Sequence, residues 1–131
     1  MHDYFVPNRD DFEIIEKIAT SNDDTSLVML NLNTYAPEAG YPNGALYTEW
    51  MHVLGMLIDQ AGGKKLWQLP VFGQPIGSQE LDEIIAVWWP SHSAFLSITE
   101  QPASEENFRL RSLCLKNAVL HRCPGDILSS P

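Results

Sequence analysis

One segment near the start of the chain limits the possible folds more than any other. Residues 27–35 combine aliphatic residues with a threonine and a tyrosine, and they read as a β-strand. Because successive side chains of a strand point to opposite faces, Val28, Leu30 and Leu32 share an aliphatic face that we expect to pack on helices. Amides on an apolar surface are costly unless they are paired, so the opposite face predicts a pocket. That face carries Leu27, Met29, Asn31, Asn33 and Tyr35.

The size and composition of the chain fit one globular domain. It has 131 residues, of which 44% are hydrophobic and 19% are charged, and a chain of this length can bury a proper core. The net charge is −9, from 17 acidic and 8 basic residues. Nucleic acids and anionic membrane surfaces attract clustered lysine and arginine, so this charge disfavours both as partners.

Neither a membrane span nor a targeting segment is indicated. No apolar run approaches the roughly 20 residues that cross a bilayer, and residues 1–10 lack the basic-then-apolar pattern of a secretory signal. Cys114 and Cys123 have no partners at metal-binding spacing, and Cys114 falls in an apolar helical pattern typical of a buried thiol. We therefore expect a cytoplasmic protein.

The order of the predicted elements indicates the fold class. The order strand, helix, strand, strand, helix, strand is that of an α+β, ferredoxin-like βαββαβ domain with an antiparallel four-stranded sheet. An extra N-terminal helix precedes it. Periodicity, caps and turn residues place helices over 8–20, 44–61 and 104–117, a short helix after Ser91, and strands over 26–35, 64–72, 81–89 and 118–123. We expect a single domain over 1–131, with a lead-in at 1–25, the ferredoxin-like core at 26–123 and a loose tail at 124–131.

A sheet of this kind has helices on one face only. The first and third strands are the most apolar, which suits the two central positions of this topology. The face without helices would expose an apolar surface of several hundred Å², which is rare in monomers. A second copy of the same sheet is the simplest cover, so we predict a homodimer joined through the sheet faces.

Several short motifs, taken in order, resemble one known family. They are the run 28–32, Gly62-Gly63-Lys64 before Leu66-Trp67, Ile76-Gly77, Asp82-Glu83, and Trp89-Pro90-Ser91 followed by Ala94-Phe95-Leu96. Together with Pro7 and Phe12 they make residues 7–123 similar to the family called domain of unknown function 1330. The chain departs from that pattern at Leu81, where a tryptophan is usual, and at 120–124, which is unusual for a last strand.

The resemblance implies a fold and an assembly but no reaction. It implies a ferredoxin-like domain that dimerises as an α/β barrel. The wider superfamily includes cofactor-free monooxygenases, haem-degrading proteins, muconolactone isomerase and stress-responsive barrel proteins. Because the family has no agreed reaction, the resemblance identifies no catalytic residue.

Several side chains have the chemistry that a binding or catalytic site requires. The amides of Asn31 and Asn33 are suited to hydrogen-bond a ligand or to stabilise an oxyanion, or else to pair with backbone or across a dimer axis. His121, in the last strand, is suited to act as a general base near neutral pH. The catalytic residues are unknown, with Asn31 and His121 as candidates. The predicted ligand-binding residues are Asn31, Asn33, Tyr35, Trp67 and Trp88.

The other histidines do not predict a metal or haem site. Glu49 and His52 form half of a di-iron helix motif whose other half is missing. Both lie off the apolar stripe of their helix, so we expect them to face solvent. His92, in the first turn of a helix, is also expected at the surface. Haem would need His92 or His121 as its axial ligand, and we predict no metal and no cofactor.

Two functions stay open at this stage. In the first, Asn31, Tyr35, Trp67 and His121 surround one cavity per subunit that binds a small apolar or aromatic molecule. A cofactor-free oxygenase or isomerase would be an enzyme of this type. The alternative is a non-catalytic structural or accessory homodimer with a filled barrel. The motifs G-x-S-x-G and G-x-G-x-x-G are absent, and the fold alone does not decide between the two functions.

Overall fold

A computed structural model describes residues 7–126 of the chain. Its helices and strands occur in the predicted order. They are α1 (Arg9–Ala19), β1 (Leu27–Tyr35), α2 (Ala45–Gln60), β2 (Lys64–Pro70), β3 (Glu83–Trp89), α3 (His92–Leu96), α4 (Ser104–Cys114) and β4 (Leu115–Pro124). Most of the tail that we expect to be loose falls at 127–131, outside the described residues.

The four described strands form one antiparallel sheet in the order β2-β3-β1-β4. With the helices between them, this is a ferredoxin-like α+β fold, and α1 is the extra N-terminal helix. As predicted, β1 and β3 are central. Among residues 7–126, no helix combines the length and the apolar character that crossing a bilayer requires.

Predicted and observed boundaries differ most at the last strand. Helix α4 ends at Cys114, and β4 begins at Leu115 rather than at Ala118. Pairing explains the difference, because Leu115 lies opposite Tyr35, just beyond a β-bulge in the ladder between β1 and β4. The neighbouring strand thus extends β4 beyond the residues that local propensity favours.

Two predicted helix boundaries are confirmed. Gly62 adopts a φ of 83° after the last turn of α2, a conformation that glycine takes at little cost. Gly63 allows close packing, because a Cβ atom there would lie 2.6 Å from the ring of Trp89. Ser91 caps α3 by accepting a hydrogen bond from the backbone N–H of Ala94 at 3.0 Å.

The prediction for Cys114 is also confirmed. Its side chain, at the end of α4, is fully buried against residues of α2. Burial raises the pKa of the thiol to about 11, with the nearby charge of Glu49 contributing in the same direction. Neither Cys114 nor Cys123 forms a disulfide.

The prediction of which sheet face meets the helices is wrong. Leu30, expected beneath the helices, pairs with Ala86 and His121 on the face that no described helix covers. We call this the open face. The helix face is the one expected to carry a pocket, and its buried core contains Leu27, Met29, Ile85, Val87 and Trp89 against Ile15, Ile58 and Phe95.

Both faces of the central strands are apolar, which explains the error. The open face of β1 and β3 carries Val28, Leu32 and Ile84, so hydrophobicity alone does not indicate which face packs against the helices. The small Ala86 lies at the centre of the open face, whereas Val87 and Ile85 offer more area to the helices. The amide of Asn31 does not oppose this choice, because its N–H groups are hydrogen-bonded within the sheet.

Candidate functional site

A cavity of about 840 Å³ lies between the helix face of the sheet and the helices. This volume falls within the usual range for small-molecule sites, about 300–1,000 Å³. Its apolar walls include Met29, Trp50, Leu57, Val87, Trp89, Phe95 and Phe12. Its polar walls include Asn31, Asn33, Asn107, Arg111 and Arg122. Most of the lining is therefore apolar, and its polar part includes amides, two guanidinium groups, a carboxylate and an imidazole.

The amide of Asn31 is held in one orientation by the sheet. Its Nδ2 donates to the carbonyl oxygens of Met29 and Ile85, both at 3.1 Å. Because carbonyl oxygens only accept hydrogen bonds, the group that faces them must be the amino group of the amide. The amide oxygen Oδ1 takes no hydrogen bond from the described residues. The predicted amide in the pocket wall is therefore present and fixed.

The amide of Asn33 is fixed through a buried carboxylate. Its Nδ2 donates to the hydroxyl of Tyr35 at 3.2 Å, and that hydroxyl donates in turn to Glu83 Oε1 at 2.5 Å. Since the Tyr35 proton is already committed to Glu83, Tyr35 can only accept from Asn33. The side chain of Asn33 is 3% exposed.

Glu83 is the centre of a polar cluster behind the cavity wall. Glu83 is 3% exposed. Its carboxylate oxygen Oε2 accepts hydrogen bonds from the Tyr47 hydroxyl and from Gln68 Nε2, both at 2.7 Å. Gln68 Nε2 also lies 2.9 Å from the Tyr47 hydroxyl. Neutral donors thus surround a buried acid, and we call Glu83, Tyr35, Tyr47 and Gln68 the Glu83 cluster.

The tyrosines of the Glu83 cluster stay protonated far into the alkaline range. Burial, the hydrogen bond to Glu83 and the charge of that carboxylate raise the pKa of Tyr35 and of Tyr47 far above the usual value near 10. A group whose pKa is raised by folding stabilises the folded state below its unfolded pKa and loses that contribution at higher pH. The free energy of unfolding should therefore fall above pH 10, by up to about 1.4 kcal/mol per pH unit for each tyrosine.

Urea unfolding between pH 8 and pH 11.5 checks this prediction. The double variant Tyr35→Phe with Tyr47→Phe should lose less stability per pH unit above pH 10 than the parent does. Lysines and other groups titrate equally in both proteins, so the difference between the profiles isolates the two hydroxyls. Parallel profiles would show that the hydroxyls ionise as freely in the folded protein as in the unfolded chain.

The structure brings together some of the predicted site residues and separates others. Asn31, Asn33 and Tyr35 lie on the helix face, but Trp67 and Trp88 lie on the open face, opposite Ala86 and Val28 respectively. Exposed His121 pairs with Leu30 of the open face, and as a residue of β4 it also belongs to the lining of the cavity. The expected single cavity of Asn31, Tyr35, Trp67 and His121 is therefore not formed. Tyr35 itself lies in the Glu83 cluster rather than in the cavity wall.

His92 is buried rather than exposed, which corrects the sequence-based expectation. Its side chain is 2% exposed, with Nδ1 at 2.7 Å from the carbonyl oxygen of Thr25. Because a carbonyl only accepts, Nδ1 carries the proton, and Nε2 faces Arg122 Nη1 at 3.4 Å. The ring thus joins the turn before β1 to β4 and supports Arg122 near the cavity. Glu49 and His52 are exposed as predicted.

No group of three His, Cys, Asp or Glu side chains among residues 7–126 is placed to hold a metal ion.

Sequence reasoning missed the Glu83 cluster and Asn107. One signal was available for Glu83, because a charged residue at the start of the apolar strand 83–89 requires a partner if the strand is buried. Its partners come from three other elements, β1, α2 and β2, so local sequence could not identify them. Asn107 Oδ1 accepts from Trp50 Nε1 at 2.9 Å, a contact between residues 57 positions apart that no sequence pattern marks.

Comparison with known proteins supports the fold alone. A protein of unknown function from Rhodopseudomonas palustris is 23% identical, with a TM-score of 0.73 over 91% of this chain and 94% of that one. Its methylated form gives 23% identity and a TM-score of 0.74 over 95% and 96% of the two chains. A NIPSNAP-like domain protein from Burkholderia xenovorans is 10% identical, with a TM-score of 0.53 over 82% and 91%. No family model matches the chain, and no curated protein matches it.

Proposed function

We propose that this protein binds a small, mostly apolar or aromatic molecule in the cavity between its sheet and its helices. The observation that carries the proposal is a cavity of about 840 Å³ whose apolar wall is interrupted by oriented amides. A binding site of this kind combines burial of the ligand with a few placed polar groups. The sheltered position would also suit a cofactor-free enzyme of the oxygenase or isomerase type.

Naphthalene, observed by saturation-transfer NMR, is a suitable probe of the cavity. Ala118 lies opposite Asn33 in β4 and lines the cavity, so Ala118→Trp should fill part of it. We expect the parent protein to bind naphthalene and Ala118→Trp to lose most of the signal. Ala45→Trp, at the exposed first residue of α2, is the matched control and should bind like the parent.

Two outcomes would contradict the binding proposal. Absence of a signal from the parent protein would show that the cavity does not admit an apolar ring. Equal binding by the parent and by Ala118→Trp, with both proteins folded by circular dichroism, would place the probe elsewhere on the molecule.

We also propose that the open face pairs with the open face of a second copy. Leu30, Leu32, Trp67, Leu69 and Trp88 contribute to this face, and no described element covers it. Trp67 is 40% exposed and Leu69 is 54% exposed, and a contiguous apolar surface of this kind is typical of an interface.

The loop between β2 and β3 supports an interface as well. Phe72 is 95% exposed and Ile76 is 92% exposed, and both follow directly from the strand that carries Trp67 and Leu69. Large hydrophobic side chains at full exposure favour a contact that the single chain does not make. Membership of the domain of unknown function 1330 family and a cytoplasmic location remain predictions from the sequence.

A further inference from the structure

Three of the amides that line the cavity, those of Asn31, Asn33 and Asn107, are each held by hydrogen bonds at one end of the amide only. The Nδ2 groups of Asn31 and Asn33 are occupied by carbonyls and by the Tyr35 hydroxyl. For Asn107 the opposite end is occupied, because Oδ1 accepts from the indole N–H of Trp50, which can only donate. Asn33 and Asn107 are 3% and 2% exposed, so little of either side chain is open to bulk water.

The unpaired ends form a defined pattern of acceptors and donors. The sheet offers two acceptors, Oδ1 of Asn31 and Oδ1 of Asn33, because neither takes a hydrogen bond from the described residues. These residues are two positions apart on one strand face, so their Cα atoms are about 6.8 Å apart. Helix α4 offers a donor, Nδ2 of Asn107. None of these atoms carries a charge.

Polar groups with little access to water gain from a ligand that pairs with them in an apolar setting. A ligand that suits this wall donates two hydrogen bonds toward the sheet and accepts one from α4. An ether or a simple hydrocarbon can donate neither of the bonds toward the sheet. Hydroxyl groups on a flat apolar frame provide donors and acceptors together.

We propose that the cavity selects aromatic molecules that carry at least two hydroxyl groups, with Asn31 and Asn33 accepting from them and Asn107 donating. The proposal rests on the binding function proposed above and specifies its ligand class. We therefore expect the cavity to distinguish ligands with hydroxyl groups from ligands without them more strongly than it distinguishes ligands by size. A ligand that lacks a hydroxyl donor leaves the amide oxygens in the cavity wall without a partner.

A matched set of probes tests the proposal by competition NMR or calorimetry. The probes are 2,7-dihydroxynaphthalene, its dimethyl ether, and naphthalene. We expect the parent protein to bind the diol at least about tenfold more tightly than either of the others, the effect of one or two hydrogen bonds in a buried site. Asn31→Leu keeps the side-chain volume and should remove most of this preference while naphthalene still binds. Asn22→Leu, in an exposed turn, is the control and should leave the preference intact.

The possible results separate this proposal from the binding function. Equal affinity of the parent for all three probes would overturn the hydroxyl preference and leave the apolar site standing. If Asn31→Leu and a second variant, Asn107→Leu, both kept the preference for the diol, these amides would not be the groups that recognise its hydroxyls. Absence of binding by every probe would overturn both proposals. A folded state of each variant, checked by circular dichroism, keeps the comparison valid.

Discussion

Replacing Glu83 by leucine is expected to destabilise the protein by about 3–5 kcal/mol, because several buried donors lose their acceptor at once. The carboxylate accepts from Tyr35, Tyr47 and Gln68 at 2.5–2.7 Å, and the residue is 3% exposed. Each unpaired buried donor costs about 1–3 kcal/mol. Part of the loss is recovered, since Gln68 and Tyr47 can still bond to each other. The expected loss is a large share of the roughly 5–15 kcal/mol that stabilises a typical domain.

Chemical denaturation of Glu83→Leu and Glu83→Gln measures this effect. Glutamine keeps one acceptor oxygen and should lose less stability than leucine does. Glu80→Leu is the matched control, because Glu80 is an exposed carboxylate that pairs with exposed Lys116; it should change stability by less than about 0.5 kcal/mol. A loss below about 1 kcal/mol in Glu83→Leu would mean that the tyrosine hydroxyls find other partners.

The second large effect is expected at the open face. Leu30 lies in the central strand, between Ala86 of β3 and His121 of β4. Leu30→Glu would place two carboxylates, one from each copy, within an apolar contact without cationic partners. Breaking an interface in this way should weaken association on the order of a thousandfold or more, since each unpaired buried charge costs several kcal/mol.

Sedimentation velocity checks the assembly directly. The parent protein should sediment at twice the 14.7 kDa mass of one chain, and Leu30→Glu should sediment as a folded monomer. Leu113→Glu, at a 47% exposed position of α4 away from the sheet, should remain a dimer. A parent protein of 14.7 kDa in dilute solution would overturn the proposed pairing.

The order of elements could be predicted from the sequence because its signals are local. The alternation at 27–35, the glycines after α2 and the Ser91 cap each specify an element or its end without reference to distant residues. The pocket-lining role of Asn31 followed from the same alternation, since an amide within an apolar strand needs a partner.

The sidedness of the sheet could not be predicted, because it depends on pairing between distant segments. Trp88 and Trp89 are neighbours in sequence, but only Trp89 meets the helices, and the register of β3 against β1 decides which. His92 illustrates the same limit. Its first-turn position suggested exposure, but the turn before β1 covers it through Thr25, 67 residues earlier in the chain.

The sheet is a single layer of chain between two different environments. Asn31 belongs to the lining of the cavity, and the next residue, Leu32, belongs to the opposite surface. Ligand choice and self-association would therefore be encoded at alternate positions of the same strand. Mutations could then retune one property while leaving the other almost untouched, so proteins of this architecture can diversify their chemistry without redesigning their quaternary structure.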